Sequence, residues 1–277
     1  MIFIFYEGRH GNFIFEYIFA KYISLLTSQP INDEIKYYTT RTNNKFIQFI
    51  DKESANNTIS TKDDNNDFLI TDKNASDIIE QLVQNKDLLN GKNIILGKRT
   101  GYYQNSILYK HHNNFIPSII NYPQPSNSIY DNKTVVIHIR LDDFHRNGDD
   151  SEILSFNYYD NIINKFQYSD IHIVYNKPEN SSYKKRMLQK IGTTYSVEES
   201  KYLKYFETKY NANMVAGDIS SDFNYFQGFK HVILSASSFA FWATANIPHK
   251  CTVHIPTHKQ CNATSNTSNI LKWCGHD

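Results

Sequence analysis

The sequence has no surplus of charge of either sign. Its 277 residues include 29 Lys and Arg against 28 Asp and Glu, which gives a formal net charge of +1 at pH 7 with histidine neutral. Domains that bind nucleic acid usually have a basic excess, so this balance argues against a nucleic-acid partner. Any anion that binds here must be held by a few placed groups rather than by the overall field.

Cysteine is scarce, with only Cys251, Cys261 and Cys274 in the chain. An odd number of cysteines is not typical of a disulfide framework, and the sequence lacks the C-x-x-C spacing of zinc sites. Reduced thiols are the rule inside cells, so we expect a cytoplasmic protein with free cysteines.

Long hydrophobic runs are also missing. The apolar segment Met1–Tyr6 is followed at once by Glu7 and Arg9, and it is far shorter than the about 20 residues that a membrane-spanning helix requires. It has neither the basic start nor the small-residue cleavage site of a secretory signal. We therefore expect no transmembrane segment, while peripheral contact with a membrane through exposed aromatic residues stays open.

The chain does have enough apolar material for a large core, with 40% hydrophobic and 14% aromatic residues. Segments typical of strands alternate with segments typical of helices, which predicts an α/β fold with doubly wound sheets. Strands are predicted at Ile2–Tyr6, Phe68–Ile70, Asn93–Leu96, Thr134–Arg140, Ile171–Tyr175, His231–Ser235 and Thr252–Ile255. Helices are predicted at Phe13–Leu26, Ser76–Val83, Tyr183–Ile191, Glu198–Lys209, Asp222–Phe229 and Phe239–Asn246.

Two closely spaced prolines, Pro123 and Pro125, interrupt regular structure in the middle of the chain. We take Asn121–Pro125 as the linker between two domains of ordinary size. The predicted domains are 1–125 and 126–277.

Charged residues follow the β-branched run Thr134–Arg140, at the strand end where open α/β sheets bind their ligands. The guanidinium of Arg140 can hold a diphosphate and stabilise charge on a leaving group without a metal. A structural ion pair between Arg140 and an aspartate is the competing interpretation. Asp142 and Asp143 allow another, a carboxylate site for Mg²⁺ or Mn²⁺ on a diphosphate.

Ser237 and Ser238 lie between a predicted strand and a predicted helix, followed by Phe239. Hydroxyls and backbone N–H groups at a helix N-terminus suit a phosphate. The competing interpretation is ordinary capping of that helix by one of the two serines.

Two further features are ambiguous when taken alone. Gly8 and Gly11 border a turn, Glu7–Asn12, in which glycine lets the backbone approach a ligand closely, although an ordinary tight turn would look the same. The carboxylate of Asp222 could accept two hydrogen bonds from guanine, or it could simply be an aspartate at the start of a helix.

Taken together and in this order, three segments resemble the motifs of one enzyme family. Gly8–Tyr17 (GRHGNFIFEY) resembles G-R-L-G-N-Q-M-F-Q-Y, and His138–Phe144 (HIRLDDF) resembles H-x-R-R-G-D-Y. Asp222–Trp242 (DFNYFQGFKHVILSASSFAFW) resembles D-L-x-L-M-x-x-C-K-H-x-I-I-A-N-S-S-F-S-W-W. These are motifs of the α-1,2-fucosyltransferase family, shared more loosely with α-1,6- and protein O-fucosyltransferases, and the resemblance extends from residue 8 to about Pro256.

The resemblance implies a GT-B-like fold, in which two Rossmann-like domains face a donor cleft. The N-terminal domain would be the acceptor side and the C-terminal domain would bind the nucleotide sugar. The implied reaction is inverting transfer of L-fucose from GDP-β-L-fucose to a hydroxyl of a glycan acceptor, forming an α-1,2 linkage. No cofactor and no metal are implied, since the GDP-sugar is a substrate.

The resemblance also implies roles for individual residues. Arg140 would hold the diphosphate, His138 would line the donor site, and Asp222 would recognise guanine. Asp143 would organise the motif loop, and either Asp143 or His145 would be the catalytic base. Ser237, Ser238 and Phe239 would lie against the phosphates and the nucleoside, and Gly11 and Asn12 would border the cleft from the N-terminal domain.

The sequence departs from the family motifs at some positions. Leu141 replaces the second arginine of H-x-R-R-G-D-Y, and Asp142 replaces its glycine. His10, Ala236 and Phe241 replace a leucine, an asparagine and a tryptophan. Loss of the second arginine removes a cation near the diphosphate. It leaves two alternatives: a same-fold transferase for another nucleotide sugar such as another GDP-sugar, and an inactive protein that binds GDP or sugar. A metal-dependent transferase that uses Asp142 and Asp143 is a separate alternative.

Overall fold

The computed structural model describes residues 1–6, 10–37, 66–97, 101–104, 130–141, 154–175, 197–245, 247 and 250–256, with only the backbone described at 10, 33–37 and 197–200. The chain divides into two compact units, Met1–Tyr122 and Pro123–Asp277. Each unit is of the α/β class, with helices and a parallel sheet. Among the described helices, none is both long and apolar enough to cross a bilayer.

The N-terminal unit is built on a sheet of parallel strands. Its elements in chain order are β1 (Ile2–Tyr6), α1 (His10–Thr27), β2 (Ile31–Tyr37), β3 (Asp67–Leu69), α2 (Ala75–Gln84), a 3₁₀ turn (Lys86–Leu89) and β4 (Asn93–Leu96). The strands lie in the order β2-β1-β4-β3, and every pair is parallel. Parallel strands require helical crossovers, and α1 and α2 supply those that the described residues contain. The carboxyl ends of β1 and β4 therefore lie side by side.

Helix α1 confirms the predicted helix but begins earlier than expected. The predicted apolar positions, from Phe15 to Leu26, are all buried. The helix starts at His10, so Gly11 and Asn12 belong to its first turn and not to the predicted turn. Glycine is destabilising chiefly in the middle of a helix, so its position at the start of α1 costs little.

The C-terminal unit has the strand order of a doubly wound sheet. Its elements are β5 (Thr134–Ile139), α3 (Phe156–Phe166), β6 (Asp170–Tyr175), α4 (Val197–Tyr210), β7 (Asn213–Val215), α5 (Ile219–Tyr225), a 3₁₀ turn (Phe226–Gly228), β8 (His231–Ile233), α6 (Ser238–Ala245) and β9 (Thr252–His254). The sheet order is β7-β6-β5-β8-β9, all parallel. Counted within the unit, this is the order 3-2-1-4-5, whose direction reverses between β5 and β8.

The central strand β5 is buried on both faces, as its β-branched sequence predicts. Side chains alternate along a strand, and Val135, Ile137 and Ile139 on one face join the hydrophobic core cluster. Leu141 extends this face beyond the strand and packs in the same cluster. The alternate positions include His138 and Arg140, so these two side chains belong to the opposite face.

Most predicted strands and helices occur within one to three residues of their predicted bounds. Asp222 differs from its prediction, because it was expected to be the first residue of its helix. Helix α5 instead begins at Ile219 and is capped by Asp218, whose carboxylate accepts a hydrogen bond from the backbone N–H of Ser221 at 2.8 Å. The predicted helix Tyr183–Ile191 and the predicted linker Asn121–Pro125 lie outside the described residues.

Besides their backbone pairing, strands β8 and β9 are bridged by the side chain of Tyr168. The hydroxyl of Tyr168 is 3.0 Å from Nδ1 of His231 on β8 and 3.2 Å from Nε2 of His254 on β9. Burial lowers the pKa of both imidazoles. Cys251, just before β9, is a free thiol whose pKa burial raises to about 11, while Cys261 and Cys274 lie outside the described residues.

Candidate functional site

His138 and Arg140, two of the predicted donor-site residues, lie at the point where the C-terminal sheet reverses direction. Strands β5 and β8 are neighbours, with Val136 opposite Val232 and Ile137 opposite Ile233. Continuing this register by one and three residues brings His138 and Arg140 alongside the segment that follows β8. Open α/β sheets bind ligands at the carboxyl ends of strands at such a reversal.

His138 is held by a residue that the motif analysis did not select. Its Nδ1 lies 2.6 Å from the hydroxyl of Ser235, and both side chains are buried. Burial, and secondarily the charge of Arg140, lowers the pKa of His138 to about 3. The imidazole is therefore neutral at physiological pH, and its low basicity makes it a poor general base. What it can offer a ligand is one neutral hydrogen-bond donor or one acceptor.

Arg140 lies at the tip of β5 and is half-buried. Its Nη1 donates a hydrogen bond to the carbonyl oxygen of Ala236 at 3.3 Å. This contact fixes the guanidinium over the segment that follows β8. A guanidinium has five N–H donors in a planar fork, a geometry that suits the oxygens of a diphosphate.

The serines before α6 do form the start of that helix. The hydroxyl of Ser237 accepts from the backbone N–H of Ala240 at 3.4 Å, and the carbonyl oxygen of Ser237 accepts from the N–H of Phe241 at 3.0 Å. Ser237 thus caps α6, which is the competing interpretation of this motif. Capping does not exclude a ligand, because the backbone N–H groups of the first turn make no intrahelical hydrogen bonds.

Aromatic rings surround His138 on the side of α5 and α6. Phe239 lies 6.0 Å from the His138 ring and 5.8 Å from the ring of Phe223, both measured between centroids. Phe226 approaches the same imidazole at 6.1 Å. These rings pack near His138 and link α5, which contains Asp222, to the α6 side of the site.

Asp222 is a mostly buried carboxylate with a single hydrogen bond among the described residues. Its Oδ1 accepts from the backbone N–H of Gly217 at 2.7 Å. Burial raises the pKa of Asp222 to about 6, against the lowering effect of the Gly217 N–H, and the nearby charge of Asp218 raises it further. A ligand that donates hydrogen bonds to this carboxylate would stabilise its charged form.

The predicted residues of the N-terminal unit lie at the carboxyl end of β1. Gly11 is buried, and the Oδ1 of Asn12 accepts from Nε2 of Gln104 at 2.8 Å. Gln104 belongs to a short segment, 101–104, that follows β4. These predicted residues therefore lie in a different unit from His138 and Arg140.

The segment 101–104 is held by a dense set of hydrogen bonds. The carboxylate of Asp72 accepts from the backbone N–H groups of Tyr102 and Tyr103 at 3.1 and 2.8 Å. The hydroxyl of Tyr103 donates to the carbonyl oxygen of Ile70 at 2.7 Å and accepts from the N–H of Gly97 at 3.1 Å. Gly97, Gly101 and Tyr103 all have positive φ, which is costly for tyrosine.

Two residues are candidates for the catalytic base. Asp143 and His145, and with them Asp142 of the metal-binding alternative, lie outside the described residues. Within the described ranges, no three His, Cys, Asp or Glu side chains come together in a way that could hold a metal ion.

Sequence reasoning missed Ser235 and Gln104. Ser235 occupies an alanine position of the motif I-I-A-N-S-S-F, so its hydroxyl was a visible departure that could have been followed to a partner. Gln104 had no such signal, because it touches Asn12 only through tertiary structure. Comparison with models of known protein families gave no match, and comparison with curated protein sequences gave no significant match.

Proposed function

We propose that this chain is a glycosyltransferase that takes its sugar from a nucleoside-diphosphate donor, and that the donor is GDP-fucose. The supporting observation is the meeting of two motifs across β5 and β8, with His138 bonded to Ser235 and Arg140 bonded to Ala236. These motifs are distant in sequence, and they resemble fucosyltransferase motifs in the same order. Their meeting at the reversal of a 3-2-1-4-5 sheet is what a nucleotide site requires.

In this proposal the C-terminal unit binds the donor and the N-terminal unit is the acceptor side of a GT-B-like enzyme. The bond between the diphosphate and the anomeric carbon of the sugar breaks during transfer. The charge of Arg140 then stabilises the leaving diphosphate without a metal. The backbone N–H groups at the start of α6 bind phosphoryl oxygens, and Asp222 accepts from N1–H and the 2-amino group of guanine. An acceptor hydroxyl of a glycan loses its proton to Asp143 or His145 and attacks the anomeric carbon with inversion.

A second candidate function has the same fold but uses another GDP-sugar, or binds its ligand without transferring a sugar. Leu141 packs in the hydrophobic cluster on the opposite face of β5 from Arg140, so no cation occupies the position of the second motif arginine. Weaker stabilisation of the leaving group favours a transferase for another GDP-sugar, or an inactive protein that binds GDP or sugar.

Calorimetric titration of the purified protein with GDP, UDP and ADP, with and without EDTA, tests the proposal. We expect selective binding of GDP that EDTA does not weaken, followed by transfer from GDP-fucose to a member of an acceptor panel. GDP binding without turnover of GDP-fucose would favour the second candidate. A preference for UDP, or binding that needs a divalent cation, would contradict the proposed donor site and favour a metal site at Asp142 and Asp143.

A further inference from the structure

The side chains of His138 and Ser235 form a hydrogen bond with each other and with no other described residue. In the described part of the chain, the hydroxyl of Ser235 bonds only to Nδ1 of His138, at 2.6 Å. Nε2 of His138 makes no hydrogen bond to a described residue. One ring nitrogen is thus committed to Ser235 while the other is left for a ligand.

The proton on the His138 imidazole can occupy either of its two ring nitrogens. Burial and Arg140 keep the imidazole neutral, and a neutral imidazole has a single N–H. If Nδ1 has the proton, it donates to Ser235 and Nε2 presents a lone pair. If Ser235 donates to Nδ1, the proton is on Nε2, which then presents a donor. The direction of one hydrogen bond therefore decides what His138 offers.

The surroundings of Ser235 favour the second arrangement. If its hydroxyl accepted from Nδ1–H, the hydroxyl proton would be left without a described acceptor in a buried position, which costs free energy. When the hydroxyl donates to Nδ1, that proton is satisfied. The ligand favours the same direction, since Arg140 and the start of α6 present donors, and an anion that suits them has only acceptors.

We propose that Ser235 is a positioning residue that donates its hydroxyl to Nδ1 of His138 and holds the imidazole as the Nε2–H tautomer, a neutral donor for a phosphoryl oxygen of a nucleoside diphosphate. The tautomer follows from the contact with Ser235 and the burial of the imidazole, while the identity of the ligand rests on the proposed function. Alanine at this position in the family motif has no hydroxyl, so the device is a property of this chain and not of the resemblance.

Nitrogen-15 NMR of the imidazole groups tests the tautomer without any ligand. In protein labelled at histidine, two-bond ¹H–¹⁵N correlations distinguish a protonated Nε2 from a protonated Nδ1, and loss of the signal in His138→Asn assigns the residue. We expect Nε2–H in the wild type, a shift towards a mixture of tautomers in Ser235→Ala, and return to Nε2–H in Ser235→Thr. A wild type with the proton on Nδ1, or an unchanged spectrum in folded Ser235→Ala, would overturn the proposal.

Calorimetric titration with GDP then tests the consequence for binding. Loss of one oriented hydrogen bond should weaken GDP binding by Ser235→Ala about 5- to 10-fold. Wild-type affinity in folded Ser235→Ala would refute the positioning role even if the tautomer is as expected. Failure of the wild type to bind GDP would contradict the proposed function, and the NMR spectrum would still decide the tautomer. If Ser235→Ala does not fold, the wild-type spectrum alone decides it.

Discussion

The side-chain amide of Gln104 donates a hydrogen bond to Oδ1 of Asn12 and so ties the segment after β4 to the first turn of α1. Because an amide oxygen that accepts cannot also be rotated outward, this bond sets the orientation of the Asn12 carboxamide. Asn12 is the residue that the family resemblance assigns to the border of the cleft. The bond therefore joins a predicted site residue to one that no motif contains.

Gln104→Ala should lower the free energy of unfolding of the protein by about 1 kcal/mol, the usual net value of one hydrogen bond. Asn93→Ala is a matched control, because it removes an exposed hydrogen bond from the Asn93 side-chain amide to the Asp67 carboxylate in the same unit. We expect the control to change stability by less than about 0.5 kcal/mol. Urea unfolding followed by circular dichroism measures both, and equal losses would show that the Gln104 bond has no special weight.

Gly97 and Gly91 form a second matched pair. Both have positive φ, +83° and +73°, but a Cβ on Gly97 would clash with the carbonyl oxygen of Phe5, while none of the described atoms lies within 4 Å of a Cβ on Gly91. Gly91→Ala should therefore cost about 1 kcal/mol of backbone strain. Gly97→Ala should add about 1–3 kcal/mol of steric strain between β4 and β1. Thermal unfolding compares the two, and indistinguishable midpoints would argue against the close approach at Gly97.

Arg140→Ala should lower the rate of sugar transfer by about 100-fold or more, since it removes charge stabilisation of the leaving diphosphate. Arg140→Lys keeps the charge but not the planar fork, so we expect it to recover part of the lost rate. Steady-state kinetics with GDP-fucose measure the effect after circular dichroism has shown that each variant is folded. Near-normal activity of Arg140→Ala would rule out the assigned role.

Asp222→Asn should make the stability of the protein less dependent on pH. Since the folded-state pKa of Asp222 is raised from 3.8 to about 6, the folded protein binds more protons than the unfolded chain between these values. Its stability contribution is therefore lost as pH rises from about 4 to about 6. Asparagine still accepts from the Gly217 N–H and does not ionise. We expect the variant to gain stability relative to the wild type at pH 7 but not at pH 4, as measured by urea unfolding at both values. A parallel pH dependence in the two proteins would contradict the raised pKa.

The same substitution tests guanine recognition. A carboxylate offers acceptors to both N1–H and the 2-amino group of guanine, whereas asparagine offers one acceptor and one donor. Asp222→Asn should therefore lose most of the preference for GDP over ADP in calorimetric titrations. Undiminished selectivity would remove Asp222 from the base-binding site without affecting the role of Arg140.

The sequence predicts the fold best in buried segments whose residue types are typical of the strand or helix that they form. Strands β1, β4 and β5 are β-branched or aromatic runs, and α1 shows its apolar spacing plainly, so all four were predicted at close to their observed bounds. Strand β2 (Ile31–Tyr37) was missed because Asn, Asp, Glu and Lys interrupt it, and parallel pairing with β1 overrides that composition.

The remaining misses have similar physical causes. Strand β7 has only three residues, too few for a pattern, and α3 buries Tyr158, Tyr159 and Ile163 within a segment rich in Asn and Asp. At the candidate site, the motifs predict residue types at strand ends but not the partners of those residues. The bond between His138 and Ser235 depends on the register of β5 against β8, which no local pattern encodes.

The bridge from Tyr168 to His231 and His254 has a consequence for how the protein must be handled. Its single hydroxyl proton can serve only one of two neutral imidazoles, and the other must donate to the phenol oxygen. The folded-state pKa values of both histidines are lowered, so the stability that they contribute at neutral pH is lost as pH falls below about 6.5. Lys230 beside His231 and Lys165 beside His254 add to the repulsion on protonation, while the nearby Cys251 thiol stays uncharged. Mild acid should therefore loosen β9 and expose the unpaired backbone of β8, an edge that can recruit strands from other molecules, so we expect aggregation on acidification to begin at this side of the sheet.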